Sequence, residues 1–173
     1  MITLGLISDT HGLVRPQIAQ VFRGVTMILH AGDVGGAAVL AALNAIAPTE
    51  AVYGNVDDVH DPSLARERVV TFGGVTIHVS HGHEIGRPTP ELVAARYASS
   101  GSDVLVFGHT HRAVVARPFQ GRGRGAERRA PDQEGVLVIN PGAAGPRRFD
   151  VIPSVALLTI DHGAADCQVI SLA

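Results

Sequence analysis

The chain has 173 residues, 46% of them hydrophobic and 17% charged, with 14 basic residues against 16 acidic ones and a net charge of −2. That balance excludes a disordered chain, which combines low hydrophobicity with high net charge, and it excludes the global basic field that drives non-specific nucleic-acid binding. A single cysteine, Cys167, excludes a disulfide framework and a cysteine-based zinc site, and a reducing cytoplasm is the expected compartment. At roughly one domain per 150 residues the length predicts one domain over residues 1–173. The N-terminal MITLGLISDTHG carries neither a basic n-region nor a long apolar stretch, so neither export nor membrane insertion is expected.

In chain order, apolar runs rich in Val, Ile and Leu predict strands at 2–8, 25–29, 51–53, 69–72, 75–80, 104–107, 135–139, 155–160 and 167–172. Helical spacing appears between the early runs. Pro16 opens one helix through Ile18, Val21 and Phe22, a second carries Val39, Leu40, Leu43 and Ile46, and Thr89-Pro90 opens a third through Leu92, Val93 and Tyr97. A βαβαβ start followed mostly by strands predicts an α/β fold, a mixed two-sheet αββα sandwich with a parallel beginning and an antiparallel later portion. Residues 117–134 break the pattern, with Gly, Pro and clustered Arg, and predict a long loop. Such a loop is a solvated hairpin tip or, more sharply, an Arg-rich flap that meets substrate phosphates.

Nine His in a chain with no Trp is the compositional anomaly, because imidazole is both a metal ligand and a general acid or base. The polar ligand-type residues stand where apolar strands end: Asp9-Thr10-His11, His30-Ala31-Gly32-Asp33, Gly54-Asn55, His81-Gly82-His83 and Gly108-His109-Thr110-His111. Sites of open α/β sheets lie beyond the carboxyl ends of their strands. Each tripeptide alone is a weak signal. In this order the series resembles the calcineurin-like metallophosphoesterase superfamily, and within it the small single-domain YfcE-like, archaeal-type phosphodiesterases. The resemblance extends to Asn140-Pro141-Gly142 and so covers nearly the whole chain.

The resemblance implies two divalent ions, one on Asp9, His11 and His111 and the other on Asn55, His81 and His109, with Asp33 bridging them and Asp33, Asn55 and His109 acting in catalysis. It also implies attack on phosphorus by a bridging hydroxide. Imidazole and hard oxygen donors without thiolate suit Mn²⁺ first, with Ni²⁺, Fe²⁺, Zn²⁺ or Co²⁺ as alternatives. Two such ions against two carboxylates leave the implied site at about +2, enough to bind an anion in a net acidic protein. The expected substrate is a small phosphodiester, with no stable nucleic-acid complex and no membrane partner. Strand edges after Val104 also permit a homodimer.

One position departs from the larger relatives, where Asn is followed by His, and from the smaller ones, where Cys is common: here Val56 follows Asn55. An aliphatic side chain cannot protonate a leaving group, so modest rates and a preference for activated esters are expected. His60 is a substitute donor or a surface residue; His30 and His83 either orient the ligands or cap strand ends; His78 and His162 are bystanders. Asp57 either bonds a ligating His or serves the turn after Asn55, and Arg147 and Arg148 are a solvated pair or reach a substrate phosphate. The alternatives to a phosphodiesterase are a weakly active or inactive metal-bound scaffold similar to a retromer subunit, and a nucleotide phosphomonoesterase or pyrophosphohydrolase.

Overall fold

The structure, a computed structural model, describes residues 1–118, 135–148 and 150–173. Two five-stranded sheets pack face to face. In the first, β1 (Ile2–Ile7), β2 (Met27–His30) and β3 (Thr49–Ala51) run parallel, while β9 (Ser154–Asp161) and β10 (Ala164–Ser171) complete the order β10-β9-β1-β2-β3 by antiparallel pairing. The second has the order β4-β5-β6-β8-β7, built from β4 (Glu67–Phe72), β5 (Val75–Ser80), β6 (Val104–Val106), β7 (Val114–Ala116) and β8 (Leu137–Asn140). Helices α1 (Gln17–Val21) and α2 (Ala37–Asn44) cover the first sheet and α3 (Pro90–Arg96) covers the second.

The two-residue period of the strands builds these layers. Leu4 and Leu6 of β1, Leu29 of β2, Ile77 and Val79 of β5, Val104 and Val106 of β6, and Leu137 and Ile139 of β8 meet between the sheets. The alternate residues point outward: Ile7 and Ile28 pack on Ile18, Phe22 and Leu43, while Leu105 and Val138 pack on Val93 and Ala94. Strands buried on both faces read as unbroken apolar runs, which is why the sequence marks them. Thr89 caps α3 by accepting the Leu92 N–H at 3.4 Å, Pro90 opens it, and Glu91 and Arg96 complement its dipole.

The expected αββα sandwich is observed, with three corrections. The later portion is not antiparallel throughout, because β5, β6 and β8 run parallel and only β4 and β7 pair antiparallel to them. The third strand lies at Thr49–Ala51 rather than 51–53, since β2 pairs with residues 49 to 51 and Val52 instead bridges to Ala65. The sequence offered no strand at Val114–Ala116, a three-residue edge whose Val115 is exposed. The mixed topology brings the carboxyl ends of β1, β2, β3, β5 and β6 to one rim of the sandwich. No helix among the described residues is long and apolar enough to cross a membrane. Most of the Arg/Gly-rich segment, 119–134, falls outside the described residues, and the flap with it.

Candidate metal centre

Five strand ends deliver the polar side chains to that rim, and the backbone bends sharply to do so. Asp9, His11, Asp33, His109 and His111 have φ of 54°, 46°, 54°, 67° and 60°. Non-glycine residues seldom occupy this left-handed region, at a cost of order 1–3 kcal/mol each. Among the described non-glycine residues only His162, in the β9–β10 turn, shares it. The neighbouring glycines meet a second demand, close approach: a Cβ on Gly54 would overlap the Asp33 carboxylate, and one on Gly108 would overlap Ser8 Oγ and crowd Asp9 Oδ2.

Asp9, His11, Asp33 and His111 present ligand atoms that all lie within 4.8 Å of one another. His11 Nε2 and His111 Nε2 are 3.3 Å apart, and His111 Nε2 is 3.1 Å from Asp9 Oδ1. Asp9 is fully buried; its Oδ2 accepts from Ser8 Oγ at 2.6 Å and from the His109 N–H at 3.2 Å, while Oδ1 has no hydrogen-bond donor. A buried carboxylate oxygen without a donor is costly unless a cation faces it. Burial holds the His11 imidazole below its usual pKa, against the pull of Asp33 and Asp9, and Arg148 and His111 push the same way as burial.

A second group adjoins the first through Asp33. Its Oδ1 accepts the Val56 N–H at 3.1 Å, and its Oδ2 lies 3.4 Å from His81 Nε2 and 3.9 Å from His11 Nε2. Asn55 Oδ1 lies 3.2 Å from His81 Nε2 and 3.0 Å from His109 Nδ1. The other ring nitrogens are engaged by backbone carbonyls, His81 Nδ1 at 2.7 Å from Ala31 O and His109 Nε2 at 3.2 Å from Gly86 O. Those nitrogens therefore carry the protons in the neutral rings, which aims the lone pairs of His81 Nε2 and His109 Nδ1 at oxygens. Lone pair against lone pair is repulsive unless a positive charge lies between. Burial alone would lower the His81 pKa, but the Asp33 hydrogen bond and the charges of Asp9 and Asp33 raise it, so a proton serves where no cation does. Burial likewise opposes ionisation of Asp33, and is outweighed by His81, the Val56 N–H and His11, which hold this carboxyl down to about 2.

The residues fit divalent ions on these observations. Ligands about 2.1 Å from one ion at tetrahedral or octahedral angles stand about 3.0–3.4 Å apart, and five of the six cross-distances above are 3.0, 3.1, 3.2, 3.3 and 3.4 Å. Only the 3.9 Å separation between Asp33 and His11 is wider. All seven sequence-predicted site residues thus reach one place.

The supporting contacts follow one of the two readings open for Asp57 and for His30. Asp57 touches no histidine ring: it accepts the N–H groups of Val34, Gly35 and Gly54 at 3.0, 2.9 and 2.9 Å and ties the Asp33 loop to the Asn55 loop. Fully buried His30 hydrogen-bonds no ligand side chain; its Nδ1 accepts the Gly32 N–H at 3.2 Å and its Nε2 donates to Thr10 Oγ1 at 2.8 Å, the hydroxyl in turn donating to Val34 O. Burial drives its pKa down to about 4. Asn140 donates to Gly108 O at 2.8 Å and to Thr110 Oγ1 at 3.0 Å, and so holds the turn between His109 and His111. The His83 ring lies 5.4 Å from that of His81 and 6.4 Å from that of His109. His78 is buried against Glu67 and Tyr97, and His60 and His162 are exposed, all three away from the ligand cluster. Val56 is 58% exposed beside Asn55.

Residues 2–163 match the model of the calcineurin-like phosphoesterase superfamily domain. A probable metallophosphoesterase of Methanothermobacter thermautotrophicus is 30% identical over 173 residues, covering 96% of this chain and 91% of the relative. The probable metallophosphoesterase YsnB of Bacillus subtilis is 33% identical over 164 residues, covering 92% and 85%. In fold, the chain is similar to Zn²⁺-complexed Vps29 of Entamoeba histolytica, with a TM-score of 0.73, 22% identity and coverage of 98% and 99%. A novel archaeal phosphodiesterase is similar at a TM-score of 0.72 and 21% identity, with coverage of 98% and 100%. A motif series met in order along the chain, a rim that gathers it and a match spanning almost every residue agree: the chain belongs to the calcineurin-like phosphoesterase superfamily.

Proposed function

We propose that this protein is a dinuclear, metal-dependent phosphodiesterase, with one divalent ion held by Asp9, His11 and His111, a second by Asn55, His81 and His109, and Asp33 shared between them. The observation that supports it best is Asp33 Oδ2, which faces His11 Nε2 on one side and His81 Nε2 on the other. When bound, two divalent ions activate water and stabilise charge on the attacking and leaving oxygens. The protein's own contribution is preorganisation. Asp33 stays ionised at any physiological pH, the carbonyls of Ala31 and Gly86 fix the ring tautomers, and buried Ser8 and the His109 N–H hold one oxygen of Asp9 so that the other faces the site.

Val56 stands exposed next to Asn55 and has no proton to donate, so leaving groups must depart as stable anions. This favours activated diesters and modest turnover. Mn²⁺ is the first candidate among hard or borderline ions, because the donors are imidazole, carboxylate and amide oxygen. The fold itself does not fix the activity, since its structural neighbours include both Vps29 and a phosphodiesterase. Seven ligand groups gathered with lone pairs facing a common space favour the enzyme. The test is hydrolysis of bis-nitrophenyl phosphate and of nitrophenyl phosphate by Mn²⁺-loaded protein, for the wild type, Asp33→Ala and His109→Ala. The diester should be cleaved faster than the monoester, and both variants should lose at least about a hundred-fold. No hydrolysis by the wild type, or full activity in both variants, contradicts the assignment.

A further inference from the structure

The segment that follows β8 is stapled onto the loop carrying Asp9 and His11. Ala144 N–H donates to Ser8 O at 2.9 Å and Gly145 N–H donates to Asp9 O at 3.1 Å. The Arg15 guanidinium clamps the same segment, donating from Nη2 to Gly145 O at 3.0 Å and from Nε to the Ala144 and Gly145 carbonyls at 3.2 Å each. The Gly145 backbone lies so close to the Thr10 carbonyl that a Cβ there would overlap it. Arg147 and Arg148, both exposed, are the second and third residues after this anchor. At 3.8 Å per residue, their Cα atoms lie within about 8 and 11 Å of that of Gly145.

Charge makes this placement informative. The proposed centre with two ions and two carboxylates is at about +2, and two exposed arginines follow, by two and three residues, the segment stapled to its rim in a chain whose net charge is −2. Asp150, two residues beyond Arg148, offers one carboxylate for the two. Cations gathered beside a cationic centre repel one another in the free protein, and an arriving polyanion relieves that repulsion. A simple phosphodiester brings a single negative charge, and a neighbouring phosphomonoester brings about two more.

We propose that Arg147 and Arg148 form a second anion subsite, and that the preferred substrate class is a phosphodiester carrying a terminal phosphate next to the scissile linkage. The proposal rests on the phosphodiesterase reading of the metal centre and narrows it. Guanidinium is suited to the task because it grips phosphate oxygens in pairs. Phosphorylated short oligonucleotides and phosphorylated polyol diesters share this chemistry.

Calorimetry on the Mn²⁺-loaded protein tests it with cleavage-resistant phosphorothioate dinucleotides, with and without a 5′-phosphate, and with the same pair on an abasic backbone. The terminal phosphate should tighten binding about ten-fold in at least one series. That gain should fall below about two-fold in the Arg147→Gln, Arg148→Gln double variant and return only in part in the double Lys variant, which restores the charge without the paired grip. A gain in both series points to any phosphate-capped diester, and a gain confined to the dinucleotides points to nucleotides. No gain in either series, or an undiminished gain in a double Gln variant with wild-type melting temperature, overturns the subsite. Bis-nitrophenyl phosphate hydrolysis separates the two claims. Turnover without a terminal-phosphate gain refutes the subsite alone, whereas a gain without turnover of any diester refutes the phosphodiesterase and leaves the subsite standing.

Discussion

Asp57 contacts no proposed metal ligand through its side chain, yet replacing it should damage both stability and metal binding. Its two oxygens accept three backbone N–H groups at 2.9–3.0 Å, two from the Asp33 loop and one from Gly54 beside Asn55. Asp57→Ala leaves those donors to water or to nothing. At about 1 kcal/mol for each partly exposed bond the loss is about 3 kcal/mol, and at roughly 2–4 °C per kcal/mol for a chain of this size the melting temperature falls by roughly 6–12 °C. Asp57→Asn keeps one acceptor oxygen and turns an NH₂ toward the remaining donor, so it falls between wild type and Ala. Because the same bonds set the spacing of Asp33 and Asn55, Mn²⁺ affinity should drop at least about ten-fold in the Ala variant. Melting of the metal-free proteins by circular dichroism and Mn²⁺ titration calorimetry give the two numbers. A melting temperature within about 2 °C of wild type, together with unchanged Mn²⁺ affinity, refutes the clamp.

His30 predicts a pH dependence. It is buried neutral with a pKa of about 4 against 6.5 in the unfolded chain, so the unfolded state takes up a proton first as pH falls. Its contribution is complete above pH 6.5 and is lost between 6.5 and about 4, by about 3 kcal/mol. Urea unfolding of the metal-free wild type and His30→Gln should show an acid sensitivity in that window that the variant lacks, and parallel profiles count against it. Gly54→Ala should cost about 1–3 kcal/mol and displace the Asp33 carboxylate; a variant with wild-type melting and Mn²⁺ affinity contradicts that packing. Val56→His should raise turnover of diesters with poor leaving groups at least about ten-fold while changing nitrophenyl esters little. An equal change for both classes points away from proton donation.

The proposed ligands were legible in the sequence because each follows an apolar run and stands beside or near glycine, a placement that survives errors in strand ends. β3 moved from 51–53 to Thr49–Ala51, yet Asn55 still projects from the loop after it. The contacts that support these residues were not legible. Asp57, His30 and Asn140 act on backbone N–H and C=O groups from segments 2 to 32 residues away, and a backbone partner leaves no mark in side-chain pattern. The strained φ values at Asp9, His11, Asp33, His109 and His111 were equally hidden, apart from the glycines nearby. The edge strand Val114–Ala116 shows no alternation over its three residues and runs straight into the Arg/Gly-rich segment, which hides it.

Crystals of the protein soaked in Mn²⁺ and measured at the manganese absorption edge test the central claim most directly. The account predicts two anomalous peaks roughly 3.5–4 Å apart, one among Asp9, His11 and His111 and one among Asn55, His81 and His109, with Asp33 between them. A single peak, or none within reach of Asp33, contradicts a dinuclear centre.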